Sequence, residues 1–469
     1  MGSWSRGSDA PVLLAAGSIT AAIVVGMAAN AGPLATIAAI GAILAAIVSP
    51  AVGLAILAFT ATLQPPAGVP APGFASLLVG ATLLGCVYRL PIDRPRPRAN
   101  APLLLLTAFV LYVTVQQLPE MASGYAGRQD HAVGYLFFQL LTGFGLVVAA
   151  VWVLSDRSPY PVIAMGLAGA ATAALIAIVP YLAPAIGGPF INLAGHSEDV
   201  TRASGPFSNP NFMGASAAMA VAAAAGLLTS GRSRLMKGLL LGTTILLGWA
   251  VALSLSRGAL ITAVAGLAWL AVSRSRASAA LVIVMGIVGA LVIYTAFVEW
   301  RLVNLTGSAS AAAFELTARS DEGRLLGVLA SVPLFLSSPI VGIGFGHYLA
   351  SSVQIIGNQT AVGAHNWYVY VLAEQGTVGI VLWVILLVAL VAELRRRPPA
   401  PRRVGFAVLS ALAAACLFLE APTSFQTVAL PSLFLVAALA SDWRLSRDVE
   451  DGAERLIAAT TDPRLSVTA

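Results

Sequence analysis

The sequence predicts an all-α polytopic membrane protein: a bundle of 12–14 transmembrane helices with one long external loop that carries interfacial helices. Three observations predict it. Hydrophobic residues make up 58% of the 469 and charged residues only 10%, against roughly 25% charged in soluble domains. The apolar runs have about the 17–25-residue length that a bilayer requires. The basic residues fall on alternate loops, as the positive-inside rule demands.

Taken in order, the spans are 11–30, 33–49, 51–64, 72–90, 101–119, 132–154, 160–183, 210–229, 235–254, 258–273, 278–298, 366–392, 404–420 and 425–441. Only Ser49 and Pro50 separate the second from the third, and the third is short. A single hairpin or re-entrant element there reduces fourteen helices to twelve with the same parity. Four regions follow. Residues 1–298 hold the first eleven helices, including an external loop over 184–209. Residues 299–365 form an external, periplasmic-side loop with amphipathic helices, 366–441 the last helices, and 442–469 a cytoplasmic tail. The tail mixes charges without a long apolar run and reads as solvated. Pro398, Pro399 and Pro401 read as a stiff inner linker. Alanine-rich runs resemble one another only in composition, so no internal repeat is inferred. Small residues there let helices approach closely.

With the N-terminus inside, the arginine-rich loops around Arg89–Arg98, Arg157, Arg232–Lys237, Arg274–Arg276 and Arg395–Arg403 are all cytoplasmic, as are both termini. This distribution explains the net charge of +6 without nucleic acid. Cys86 and Cys416 lie in apolar runs and read as small core residues. The first apolar run lacks a cleavage site and reads as a retained helix.

Six basic residues remain outside, all arginines: Arg128, Arg202, Arg257, Arg301, Arg319 and Arg324. A guanidinium presents a fork of donors that matches phosphate oxygens and stays charged in a poorly hydrated site. Glu198, Asp199, Glu315, Asp321 and Glu322 offer ion pairing to some of them. Arg257 stands in a very short outer turn, S-L-S-R-G-A-L, with no acidic neighbour in sequence. Snorkelling alone would explain it, but an anionic ligand fits the disfavoured side better. All four histidines, His131, His196, His347 and His365, are external. Their spacing matches no compact metal motif, so no metal is expected.

The outer loop before 210 contains R-A-S-G-P-F-S-N-P-N-F, in which Asn211 is positioned to cap the next helix. The loop over 299–365 holds two amphipathic stretches, 323–336 and 346–357. Leu325, Leu326, Leu329 and Val332 recur at helical spacing beneath Arg324 in the first. Between them, P-I-V-G-I-G-F-G reads as a plain turn more readily than as a phosphate loop.

The chain is organised around 363–384, a polar aromatic loop that becomes an apolar helix. His365 and Asn366 stand where that helix enters lipid, with Glu374 and Gln375 about two and a half turns deeper at ~1.5 Å per residue. An ionisable group within a membrane segment points to function. Nine residues separate His365 from Glu374, about half a turn around a regular helix. Glu374 is therefore expected to hold a neighbouring helix rather than touch His365.

These residues together resemble the O-antigen ligase family, which includes O-antigen polymerases and bacterial protein O-oligosaccharyltransferases. The family signature is His, then Asn, Ser or Gln, nine residues, Gly, two residues, and Gly, Thr or Tyr. His365, Asn366, Gly376 and Gly379 meet it. R-A-S-G-P-F-S-N-P-N, L-S-L-S-R-G-A-L and S-P-I-V-G-I-G-F-G add similarity, so the resemblance covers about 195–395. The arginine motif departs from the form with leucine four residues after the arginine: Leu260 is third and Ile261 fourth.

The resemblance implies a metal-independent, cofactor-free, inverting glycosyltransferase in the bacterial cytoplasmic membrane. The donor would be a glycan on a polyprenyl diphosphate such as undecaprenyl diphosphate. The acceptor would be a lipid, glycan or protein hydroxyl on the outer face, as in lipopolysaccharide biosynthesis. His365 would act as the base. Arg257 and Arg324 would bind the diphosphate, with Arg202 and Arg319 as weaker candidates. Asn366 and Glu374 would orient the base or the helix around it. A polymerase of the same family is the alternative. A lipid-linked-glycan flippase or transporter is the rival from another class. It would show broken helices at the midplane and ionisable groups in several helices.

Overall fold

The computed structural model describes residues 9–28, 32–63, 71–93, 100–124, 128–155, 157–182, 202–207, 209–229, 233–275, 284, 286, 311–356, 363–419 and 425–440. Among them every regular element is a helix. The order is α1 Ala10–Ala28, α2 Gly32–Val48, α3 Pro50–Thr60, α4 Ala71–Asp93, α5 Ala101–Gln116, α6 Leu118–Ala122, α7 Arg128–Leu154 and α8 Tyr160–Leu182. Then come α9 Pro210–Leu228, α10 Arg234–Leu253, α11 Arg257–Val272, α12 Ala311–Ser337, α13 Tyr348–Ile356, α14 Trp367–Arg395, α15 Pro399–Phe418 and α16 Phe425–Leu439. The expected helix at 278–298, the expected tail and most of the 184–209 loop lie outside the described residues.

Seven of the described helical stretches, with α5 and α6 counted as one, are long and apolar enough to cross a membrane. The others are shorter and still apolar. The clearest case is α3, whose 11 residues from Pro50 to Thr60 rise only ~16 Å, half a bilayer. Its residues from Pro50 to Phe59 are all buried. Arg89, near the end of α4, donates to Val48 O at the end of α2, so α2 and α4 end together. The chain therefore reverses at Ser49 and Pro50 and again before α4, and α3 is a separate, half-length traverse rather than a continuation of α2.

Two further contacts join loops at this same arginine-rich end. Burial lifts the Asp9 carboxyl above its usual pKa, partly offset by Ser158 and Arg157 beside it. Arg403 donates to Thr229 O at 3.4 Å. The prolines expected to form a linker instead begin α15: Pro398 is its N-cap and Pro399 its first residue. The missing proline N–H is one that a helix start leaves unpaired anyway.

The interior is built from small residues. In α9 the run from Met213 to Ala224 is buried throughout. Gly169 of α8 meets the Phe59 carbonyl of α3 so closely that a Cβ would collide with it. Large side chains face outward instead: Leu34, Ile37, Ile40, Leu44 and Val48 form an exposed stripe on α2. Such an arrangement suits a lipid surround, where van der Waals packing rather than water exclusion joins helices.

Candidate functional site

The decisive local feature is a break in α14. Gly376 has φ 62° and ψ −158°, outside the helical region. Across it the chain folds back. A Cβ on Gly379 would stand 3.5 Å from Val371 Cγ1, and the Trp367 and Trp383 ring centroids lie 5.7 Å apart. A straight helix would separate the second pair by ~24 Å. The two pairs lie four and eight residues either side of Gln375, so the arms 367–375 and 377–395 turn back toward each other. Tyr368 of the first arm donates to Ala413 O of α15 at 3.1 Å, below the outer end of that helix.

This reverses the expected depth order. The second arm alone rises ~28 Å from Gly376 to the arginine-rich end, enough to cross the hydrocarbon core. Gly376, Gln375 and Glu374 therefore mark the edge opposite the arginine-rich end, the one the charge rule expects to face outward. His365 and Asn366 are carried back along the bundle instead of standing above it. Ala364, Trp367, Tyr370 and Val371 are all buried.

A broken helix leaves backbone groups unpaired. The glycine-alternating loop supplies their partners. Ile343 N and Gly344 N donate to Ala373 O and Glu374 O at 3.0 and 2.9 Å. Thr377 N and Val378 N donate to Pro339 O and Ile340 O at 2.9 and 3.1 Å. Gly342, Gly344 and Gly346 all have positive φ. A Cβ on Gly342 would collide with the Glu374 carbonyl. The loop is thus a splint for the broken helix.

His365 itself has φ 46°, and Asn366 follows as the N-cap of α14, accepting from Val369 N at 3.2 Å. Glu374 is 3% exposed and accepts the Tyr348 N–H that opens α13 at 3.0 Å. An acceptor there pairs an amide that a helix start leaves without an intrahelical partner. The Tyr348 hydroxyl donates to Gly327 O of α12. Gly327 in turn packs on Gly363 and Ala364, where a Cβ would meet Ala364 N and Cα at 2.9 Å. Arg324, half-buried, lies one helical turn before Gly327 on the same face of α12.

On the other side, Arg257 is exposed at the first position of α11, where Ser256 caps by accepting from Ala259 N at 3.2 Å. The next residue, Gly258, packs on Phe418 at the outer end of α15. Both the arginine motif and the histidine arm therefore dock on the last turns of α15. Leu255, just before the cap, has φ 51°. Arg202 braces this turn: Nε donates to Ser254 O at 2.8 Å and NH2 to Asn211 Oδ1 at 2.7 Å. Asn209, not Asn211, caps α9. The side chains of Arg128, Arg319 and His131, and all of Arg301 and His196, lie outside the described residues. His347 pairs with Glu120 at 3.0 Å.

Residues 242–384 match the O-antigen ligase family. The matched segment runs from within α10 through the loop splint and the break in α14. It contains Arg257, Arg319, Arg324, His365, Asn366 and Glu374, and leaves Arg202 outside. O-antigen ligase family members are membrane glycosyltransferase-type enzymes, ligases and polymerases. The match and the apolar helices together fit a multi-pass bacterial membrane protein. No curated protein matches the chain.

Sequence reasoning passed over the outer end of α5, where Tyr112, Gln116, Gln117 and Glu120 bind the splint from behind. The signal was present as V-Q-Q-L-P-E: long polar side chains crowded at the end of an apolar helix.

Proposed function

We propose that this protein transfers a glycan from a polyprenyl diphosphate to an acceptor hydroxyl on the outer face of the cytoplasmic membrane, by metal-independent inversion. One observation carries the reading. Leu255 and His365 are the two non-glycine residues with positive φ among the described residues. One lies two positions before Arg257 and the other is the signature histidine. Backbone strain of about 1–3 kcal/mol per residue persists where the surroundings over-determine it, and it concentrates at functional sites.

In this reading His365 removes the proton of the acceptor hydroxyl as that oxygen attacks the anomeric carbon. The bond to the diphosphate oxygen breaks, and the leaving group departs as a lipid diphosphate. Arg257 meets that anion with its guanidinium, at the positive end of the α11 dipole. Arg324 approaches from α12, and Arg319 lies earlier on the same helix. Arg202 supports the Arg257 turn. Asn366 caps the arm that bears the base, and Glu374 ties that arm to α13. The ligase reading and the polymerase alternative share every one of these roles.

The break in α14 is the one feature that favours transport. Transporter breaks lie near the midplane. This one lies ~28 Å from the inner end of its helix, at the outer edge. The test is reconstitution of the full chain with a polyprenyl-diphosphate glycan and candidate acceptors, followed by identification of the product. Glycosylated acceptor supports the proposal. Movement of intact donor across the bilayer without transfer overturns it.

A further inference from the structure

We infer that the outer end of α5, with Gln117 at its centre, is a positioning element for His365, resting on the reading of His365 as the base. α5 is largely apolar until its last turns, and the long polar side chains there reach one target. The Tyr112 hydroxyl lies 2.9 Å from both Val341 O and Gln375 O, at the splint and at the apex of the break. Gln116 Nε2 donates to Val341 O. Gln117, fully buried, donates from Nε2 to Phe345 O at 3.0 Å. Glu120, on α6, holds His347 at 3.0 Å. Four side chains over nine residues thus grip the loop from Val341 to His347.

That loop leads by contiguous contacts to His365. It pairs with the backbone of the break, which fixes the arm 367–375. It continues into Tyr348, whose N–H meets Glu374 and whose hydroxyl meets Gly327, and Gly327 presses on Gly363 and Ala364. The two routes close a ring around His365, whose left-handed backbone needs outside support to persist. The grip comes from residues 112–120, outside the segment that matches the O-antigen ligase family. Gln117 touches neither His365 nor any reacting atom, so it acts through the loop.

The amide geometry explains why glutamine serves here. Gln117 Nε2 reaches the carbonyl of the buried Phe345, and an apolar replacement leaves that carbonyl without this donor. The loop then loosens on the side away from the break. A displacement of ~1 Å at a catalytic group costs on the order of 100-fold in rate. Binding of donor to the arginines is left in place.

The experiment uses the full chain in lipid, with transfer and amide hydrogen exchange measured on the same preparations. For Gln117→Leu we expect kcat to fall about 10–100-fold while the donor KM stays within about threefold, since ground-state contacts are kept. Exchange should quicken over 341–347 and 363–371 together. Gln117→Glu adds a conservative arm. Its carboxyl donates to Phe345 O only when protonated, so its rate relative to the unaltered protein should rise as pH falls.

Unaltered kcat in Gln117→Leu overturns the inference, as does faster exchange confined to 341–347. If Gln117→Leu does not fold, Gln117→Glu decides, and a pH-independent ratio to the unaltered protein counts against the inference. If the unaltered protein transfers no glycan at all, the reading of His365 falls, while joint exchange at the two segments still supports the mechanical link.

Discussion

Leu255 and His365 hold backbone that glycine would adopt freely, and the side chain kept at 365 is the one with acid–base chemistry near neutral pH. This separates stability from function at one residue. His365→Gly removes left-handed strain of about 1–2 kcal/mol, partly offset by the entropy of a glycine in the unfolded chain. Thermal unfolding in detergent should show a midpoint no lower than that of the unaltered protein, with transfer lost. His365→Ala keeps the strain and should lower single-turnover transfer by roughly 10²–10⁴-fold with donor affinity retained. Rescue of His365→Ala at saturating donor would show that the histidine binds the diphosphate rather than taking a proton. At Arg257 the test is geometric. Arg257→Lys keeps the charge and loses the planar fork, so donor affinity should drop substantially. A lysine that binds donor as well as arginine does would remove the bidentate role.

At the scale of the element, the break in α14 shows how far the sequence could be read. The spacing of His365, Asn366, Gly376 and Gly379 was visible, and so was the helix around it. Their depth was not, because a rise of ~1.5 Å per residue was carried through Gly376 as if the helix were straight. Whether a glycine bends a helix depends on partners for the freed amides and carbonyls. Here those partners come from 339–344, between 30 and 38 residues earlier in the chain than the groups they pair, which no local pattern announces. The cap of α9 was by contrast locally legible: Pro210 takes the first helical position, which makes Asn209 the cap and leaves Asn211 inside the helix, where Arg202 reaches it. Gly376→Ala tests the element. A Cβ there would stand 2.5 Å from Ile340 O on a backbone with φ 62°. We expect loss of transfer and a destabilisation exceeding the left-handed penalty of about 1–2 kcal/mol. Gly80→Ala in α4 meets nothing within 4 Å and should leave both unchanged or gain about 0.5–1 kcal/mol, since alanine is the better helix former. Equal behaviour of the two variants would mean that the break is not required.

The whole molecule was the most legible scale, because lipid imposes length and charge rules on every helix at once. The helix order follows from those rules, and the six arginines they leave on the other side stand out as exceptions. The half-length of α3 does not, since a short helix can be buried by its neighbours rather than by lipid. The contacts between chain ends make the orientation measurable. Val48 with Arg89, Thr229 with Arg403, and Asp9 with Ser158 and Arg157 all meet at the arginine-rich end. Glu120 with His347, and Arg202 with Ser254, meet at the other. Ser123 is exposed just after α6, and Ser233 caps the start of α10. Cys86 and Cys416 are both buried and offer an impermeant thiol reagent little background. In intact inside-in cells, Ser123→Cys should label from outside, and Ser233→Cys only after permeabilisation. Labelling of position 233 in sealed cells would invert the bundle. It would then carry His365 to the cytoplasmic face, where an external lipid-linked donor could not reach it.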